Sequence, residues 1–570
     1  MDRLNLKGYL KKNIVCYVVA VLAMIVSVSL DMLFPQLTRH IVDDVIVGRR
    51  MELLDGLLLG ILAVGLGRCV CQYVREFLCD YAGSKIGCEI RISVFRKIQS
   101  LSADFFDGIN SGELMSRVKD DVDRIWDCFT YIGILIAQVA VHTAIALWCM
   151  YSISWKLALL PTFCMIAAAA VALLMERRLD NVFESIAQEN SELNNTAQEN
   201  LSGMRTVKAF ARENFEIGKF GAHNRRYYEL NIKQSRVFVK YNPILQGITH
   251  LLPCVVLLSG GIMAIRGGIS IGELTAFVQY SMNIVWPMEM LGWLTNGISA
   301  ARASARRLNR IYAETPQIRE NSAPVVKEAV RGDIEFDRVS YTAPGGREIL
   351  RNVSFSIKAG HTLGIMGATG SGKTTIINLL KRMYDVSSGS IKLDGTDIRE
   401  ISLEQLRRSI ACVMQDIFLF SDTISGNVRL GERAELADAA VEKAMIDSCS
   451  AEFASKMQDG YETVIGERGV GLSGGQKQRI TIARAVSRSA PVLVLDDSTS
   501  ALDTETERQI QSTLESLAGM TKIIITHRIS AVRHADEIIV LDGGTVAEHG
   551  THEQLLEKKG LYYKTYRSQY

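Results

Sequence analysis

The chain has 570 residues, more than one ordinary core can hold, and its 64 basic and 62 acidic residues leave a net charge of +2 that singles out no class of partner. The eleven cysteines are scattered, with neither a CxxC pair nor a His/Cys cluster at zinc spacing. That excludes a disulfide scaffold and a structural zinc site and leaves them as small core residues. Composition divides the chain near residue 300: long apolar blocks alternate with charged ones before it, and a soluble α/β pattern follows.

Six segments reach the length of about 20 mostly apolar residues needed to span a bilayer: 14–34, 53–74, 129–151, 155–175, 245–265 and 271–297. The first is full length and lacks a small-residue cleavage pattern, so it reads as a span and not as a cleaved signal. Positive charge orients the set. The segment 75–124 carries eight Lys/Arg and 176–240 carries eleven, against none in 152–154 and Arg266 alone between the fifth and sixth spans. The positive-inside rule then puts both termini and both long loops in the cytosol. The loops are rich in helix formers and broken at Gly108, Gly112 and Gly203. Helices of that length would reach roughly 35 Å beyond the bilayer, as arms.

Away from the first three residues of each span, the charged residues and histidines are Asp31, Arg68 and Glu289, with His142 and His250. Such groups face a bundle interior or water. Glu289, beside Pro287 and between Trp286 and Trp293, has two readings: a cargo-facing carboxylate suited to amphipathic or cationic molecules, or a charge resting near the inner interface.

A polar linker, 313–331, leads into the second half. There "HTLGIMGATGSGKTTIINLL" (361–380) joins an apolar strand, a Gly-rich loop and a helix. It fits G-x-x-x-x-G-K-[ST] at Gly367, Gly372, Lys373 and Thr374. Glycines let backbone N–H groups curl round phosphate at a helix N-terminus. The loop residues Ala368, Thr369, Gly370, Ser371 and Thr375 complete this nucleotide cradle. Lys373 supplies charge to the terminal phosphates, and the Thr374 hydroxyl can ligate Mg²⁺.

Downstream, "VLVLDDSTSALD" (492–503) ends an apolar run in Asp496 and Asp497. After a P-loop, the strand-end acid supplies the second Mg²⁺ contact, which assigns Asp496. Asp497 either positions a water at the γ-phosphate or caps the turn. Between these motifs, "GVGLSGGQKQRITIARAV" (469–486) offers a second helix N-terminus for an anion. One nucleotide cannot easily sit on two such distant termini, which points to a site shared between two domains.

Taken together, "LSGGQ" (472–476) and the P-loop make the chain resemble an ATP-binding cassette (ABC) transporter half of the exporter type. "FFDGINSGELMSRVKDDVDRI" (105–125), "ENLSGMRTVKAFARENFE" (199–216) and "GGISIGELTAFVQY" (267–280) resemble the family's first and second cytosolic loops and its sixth span. The resemblance implies a six-span α-helical membrane domain over 1–312 and an α/β P-loop NTPase domain over 332–570. It further implies ATP and Mg²⁺, ATP-driven export of a small or amphipathic substrate, and a plasma-membrane location. The soluble DNA-repair branch of the superfamily is excluded by the six spans, and with it a nucleic-acid partner. Gln415 takes the Q-loop place and the nearby metal, His527 the switch histidine and Asp503 the D-loop; Ser473, Gly474, Gly475 and Gln476 face the partner's nucleotide.

Two positions depart from the family pattern. Glu is expected directly after the strand-end acid, and Asp497 stands there, one methylene shorter. A general base must come within about 3 Å of its water. At "RVSYTAPGG" (338–346), Tyr341 falls at the family's Phe place and Ala343 where an adenine-stacking aromatic is expected. Either Tyr341 swings in or the stacking is lost. Both departures fall in the site built on this chain's own P-loop, while its LSGGQ is intact. The expectation is one subunit of a heterodimer whose own site hydrolyses slowly. The alternatives are a homodimeric exporter or lipid flippase, an exporter-shaped importer of metal chelates, and an ATP-gated channel.

Overall fold

The computed structural model describes residues 4–430, 436–466, 469–498, 502–517 and 519–569; inside its helices the side chains at 180, 288, 289, 291–293, 295 and 296 fall outside the description. The side chains of Glu289 and Trp293 therefore lie outside the described residues. The chain forms two compact units, one of residues 1–99 and 111–314, the other of 100–110 and 315–570.

The first unit is helical. Its long helices are α1 (Ile14–His40), α2 (Leu54–Gln99), α3 (Gly133–Ile153), α4 (Trp155–Ser202), α5 (Glu213–Ile265) and α6 (Ile271–Ala313). Five helical runs among the described residues are long and apolar enough to cross a membrane, and α6 begins at the sixth predicted segment. The predicted loops are continuations of these helices: α2, α4 and α5 run for 46, 48 and 53 residues. The chain breaks at Gly203, after α4, and around Gly108, after the short helix Ala103–Asp107; Gly112 instead lies inside the helix Ser111–Ser116. The extensions of α4 and α5 are joined by polar contacts, His223 Nδ1 to Glu189 Oε1 at 2.8 Å and Asn200 Nδ2 to Glu216 Oε2 at 2.8 Å. At its 271 end α6 has a capping box: Ser270 Oγ accepts from Glu273 N, and Glu273 returns the bond to Ser270 N. That satisfies amides the helix itself leaves unpaired.

The second unit holds two sheets. The smaller contains β1 (Ile334–Thr342), β2 (Glu348–Ile357), β4 (Ser388–Leu393) and β5 (Thr396–Asp397), in the order β2-β1-β4-β5. The larger contains β3 (Thr362–Gly367), β6 (Ile410–Val413), β7 (Val492–Asp496), β8 (Thr521–Ile525), β9 (Glu537–Asp542) and β10 (Thr545–Gly550), in the order β10-β9-β3-β8-β7-β6. From β9 to β6 its strands pair in parallel. A parallel sheet is covered on both faces, which is why β7 reads as an unbroken apolar run and is buried at all five positions. In such sheets ligands bind beyond the carboxyl ends of the strands.

In the helical unit, α2 approaches the π-helical segment Cys128–Ile132 at Gly83. A Cβ there would sit 1.9 Å from Thr130 Oγ1 and 2.9 Å from its Cβ, whereas Gly65 on the same helix has nothing within 4 Å. Small residues allow this close helix approach. Gly83→Val should destabilise the protein by about 1–3 kcal/mol through overpacking. Gly65→Ala should be neutral or slightly stabilising. Thermal unfolding in detergent checks the pair.

Candidate functional site: a phosphate cradle at the parallel-strand ends

Five parallel strands deliver their C-terminal ends to one cavity of about 620 Å³. From β3 come Thr369, Gly370, Gly372, Lys373, Thr374 and Thr375; β6 is followed by Gln415; β7 ends in Asp496 and Asp497; β8 leads to Thr526 and His527; β9 leads to Gly543 and Gly544. Gly370 and Gly372 hold positive φ of 81° and 101°, conformations that β-carbon-bearing residues rarely adopt. At Gly372 a Cβ would also meet Leu350 Cδ2 at 2.5 Å. The next residue opens α7 (Lys373–Leu380).

Lys373 is 9% exposed, and its ammonium donates to the carbonyls of Gly367 and Ala368, both at 2.8 Å. Burial pushes its pKa down, while the nearby Asp496 and Asp497 pull it back up. Asp496 is 2% exposed and accepts from Thr374 Oγ1 at 3.0 Å. Burial pushes that carboxyl up; the Thr374 hydrogen bond opposes the shift, Asp497 adds to it, and Lys373 lowers it. The donor set suits a phosphate and a hard cation. A cation is held at the edge, a hydroxyl and a buried carboxylate lie together, and Ser371 Oγ is buried without a hydrogen-bond partner among the described residues.

Asp497 lines this cavity in a left-handed conformation, φ 48°. Its backbone is fixed, the N–H donating to Ile525 O at 2.8 Å and the carbonyl accepting from Gln478 Nε2 at 3.2 Å. Among the described residues its carboxylate makes no hydrogen bond; Thr499 and Ser500, which a side-chain cap of this turn would reach, lie outside the described residues.

Some expected residues lie elsewhere. Gly367 and Ala368 line a second, smaller cavity of about 260 Å³ that also touches His527. Tyr341 does not line the nucleotide cavity. A bulge at Arg338, φ 47°, shifts the alternation along β1 by one residue and turns Tyr341 inward with Ile334, Phe336 and Val339, 7% exposed, its ring 5.7 Å from Tyr384. Ala343 follows β1 and is partly buried against the same core, so neither residue offers a face to the cavity. Arg347, Glu348, Ile349 and Arg351, together with Gly543 and Gly544, line it without having been singled out by sequence. The Asp-Gly-Gly turn signal between two apolar strands was visible at 542–544, but not its neighbour. That neighbour is set by the pairing of β3 residues 363–367 with β9 residues 537–541.

Ser473–Gln476 also lie away from this cavity, at the start of α8 (Gly474–Val486). Ser473 caps α8 in a box with Gln476, at 3.3 and 2.9 Å. The box satisfies the amides of Ser473 and Gln476. Those of Gly474 and Gly475 lie in the first turn, where a helix provides no acceptor.

The helical unit has a cavity of its own, about 340 Å³, lined by polar groups from four helices. Asp31 and Arg68 form an ion pair, Arg75 bonds Gln138, and buried His142 has an Nε2 without a partner among the described residues. Trp286 packs edge-on to His142 at 6.4 Å.

Two family models match: the ABC transporter transmembrane region over residues 17–288, and ABC transporter over 350–500. The ABC transporter ATP-binding protein YknU of Bacillus subtilis is 35% identical over 97% of this chain and 94% of its own length. This chain is an ABC exporter half-transporter. The ATP-dependent lipid A-core flippase of Syntrophus aciditrophicus is 32% identical over 97% of this chain and 92% of its own. A solved bacterial Atm1-family ABC exporter with ATP bound superposes with a TM-score of 0.84 at 27% identity, covering 98% of each chain. The half-transporter is thus a multi-pass membrane protein with an ATPase domain that binds nucleotide, and exporters of this family work as dimers.

Lys373→Ala removes the cation from the cradle. It should weaken MgATP binding at least about tenfold, a loss of about 1.4 kcal/mol. The rise in unfolding temperature that saturating MgATP gives the wild type should largely vanish; a full rise in the variant would contradict the assignment.

Proposed function

We propose that this half-transporter drives export of a small or amphipathic substrate as one subunit of a heterodimer, and that its own ATP site hydrolyses slowly. In this reading residues 1–312 form the membrane domain, 313–331 the linker and 332–570 the ATPase. Both termini are cytosolic, in the plasma membrane. The observation that carries the asymmetry is Asp497, a short carboxylate on the cavity wall whose backbone is tied by two hydrogen bonds and cannot slide forward. With Glu the acid would reach further; a misplacement of about 1 Å costs on the order of 10²-fold.

The remaining residues take these roles. The Gly367–Thr375 loop and Lys373 hold the phosphates. Thr374, Gln415 and Asp496 would hold Mg²⁺, which supplies charge neutralisation at the transferring phosphoryl group. His527 holds the γ-phosphate edge. Ser473, Gly474, Gly475 and Gln476 complete the partner's site, to which the first-turn amides of Gly474 and Gly475 are suited. ATP acts by binding the closed dimer more tightly than the open one, so closure, not contact with cargo, moves the membrane domains. For cargo, the ion pair, amides and imidazole around the cavity of the helical unit support a molecule with polar groups beside an apolar body. The lipid A-core flippase among the relatives fits such a substrate.

Asp497→Glu tests the short base. Left-handed backbone tolerates Asp better than Glu, so the variant should lose up to about 1 kcal/mol of stability. Its ATP hydrolysis should nevertheless rise about tenfold or more. Phosphate release by the full chain checks this, and an unchanged or lower rate sinks the reading.

A further inference from the structure

The four residues that begin with His527 are gripped from two sides. At the far end of α10 (Leu561–Gln569), one amide spans Arg528: Gln569 Nε2 donates to the His527 carbonyl at 2.6 Å, and Gln569 Oε1 accepts from Ile529 N at 2.9 Å. From the other side comes α9 (Thr504–Ser516). Its buried Glu507 accepts from Arg528 Nη1 at 2.7 Å, and Gln511 Nε2 donates to Ser530 O at 3.3 Å. Positions 507 and 511 are four apart, so they share one face of α9. The same helix is capped by Asp503, whose Oδ1 accepts from Thr506 N at 2.9 Å.

The plain alternative is that Gln569 merely fastens α10 to the domain. The helix is already fastened at its other end. Tyr562 is 1% exposed among Ile529, Val532 and Leu555, His552 Nδ1 lies 2.7 Å from its hydroxyl, and Glu548 accepts from its amide at 3.1 Å. Gln569 itself is exposed. Its two bonds therefore do little to dock the helix, and both fall on the main chain on either side of one residue in the loop that carries His527.

We propose that Gln569 is a positioning residue for His527, and that it and the Glu507–Gln511 face of α9 form two jaws that fix the histidine loop for hydrolysis. The proposal rests on the role given to His527 above. Its consequence is that α10 and the Asp503-capped helix both bear on a cavity neither of them lines.

The test is single-turnover ATP hydrolysis by the full-length protein in lipid nanodiscs, read beside binding of a fluorescent ATP analogue and thermal unfolding. Gln569→Met keeps length but loses both hydrogen bonds. It should slow hydrolysis about tenfold, with analogue affinity unchanged within about two-fold and the unfolding temperature within about 2 °C. Gln569→Glu keeps the acceptor for Ile529 but sets a carboxylate against the His527 carbonyl, and should be no faster than Gln569→Met. Gln511→Leu repeats the comparison from the other jaw without touching α10, and should slow hydrolysis in the same way. In a His527→Ala background Gln569→Met should cost nothing further, because the group it positions is gone. Wild-type rates in both Gln569→Met and Gln511→Leu, or a full additional loss on top of His527→Ala, overturn the proposal. Wild-type hydrolysis by His527→Ala would fail the histidine's own role first, and the jaws with it.

Discussion

A buried ammonium needs partners, and the ATPase unit is organised around one. Lys373 is almost wholly enclosed, in a place where an unpaired charge would cost several kcal/mol. The carbonyls of Gly367 and Ala368 receive it at 2.8 Å, which closes the glycine loop on itself. Burial pushes the pKa of this ammonium down, and the two acids at the end of β7 oppose that shift. The loop needs its positive-φ glycines to make that turn, and the acids need the β7–β8 register that places Asp496 opposite Ile525. The phosphate site thus follows from satisfying one cation at the mouth of a parallel sheet.

How much of this could be read from sequence depended on distance along the chain. The loop, Lys373 and Thr374 are consecutive, so spacing alone assembled them. Asp496 followed because an apolar run marks a buried strand and the acid marks its end. Gly543 and Gly544 did not follow, since their place beside the loop depends on β9 lying next to β3, a choice no local pattern encodes. Tyr341 stood at the family's Phe place with two outcomes open, a ring swung toward adenine or lost stacking; a bulge at Arg338 shifts the alternation along β1 by one residue and turns the ring into the core. The membrane half was legible in the lengths of its apolar segments. That residues 100–110 group with the ATPase unit, where Asp107 accepts from Tyr384 at 2.7 Å, was not.

Asp497 gained most from the structure. Sequence offered a turn cap or a base; the main chain at Asp497 is tied by two hydrogen bonds, and the residue lines the cavity. Its left-handed φ also gives a local reason for Asp, which tolerates that conformation better than Glu. The capping box at Ser473 leaves one edge, the start of α8, intact, while the other, the cavity wall, carries a short acid.

The central claim is that these two edges serve unequal sites on two different chains. Steady-state ATP hydrolysis by the purified wild-type chain alone, in lipid, addresses it most directly. The account predicts that MgATP binds, raising the unfolding temperature, while turnover stays well below about 1 s⁻¹, the foot of the ordinary enzyme range. Turnover at tens per second by the chain alone would show a competent homodimer and contradict the account.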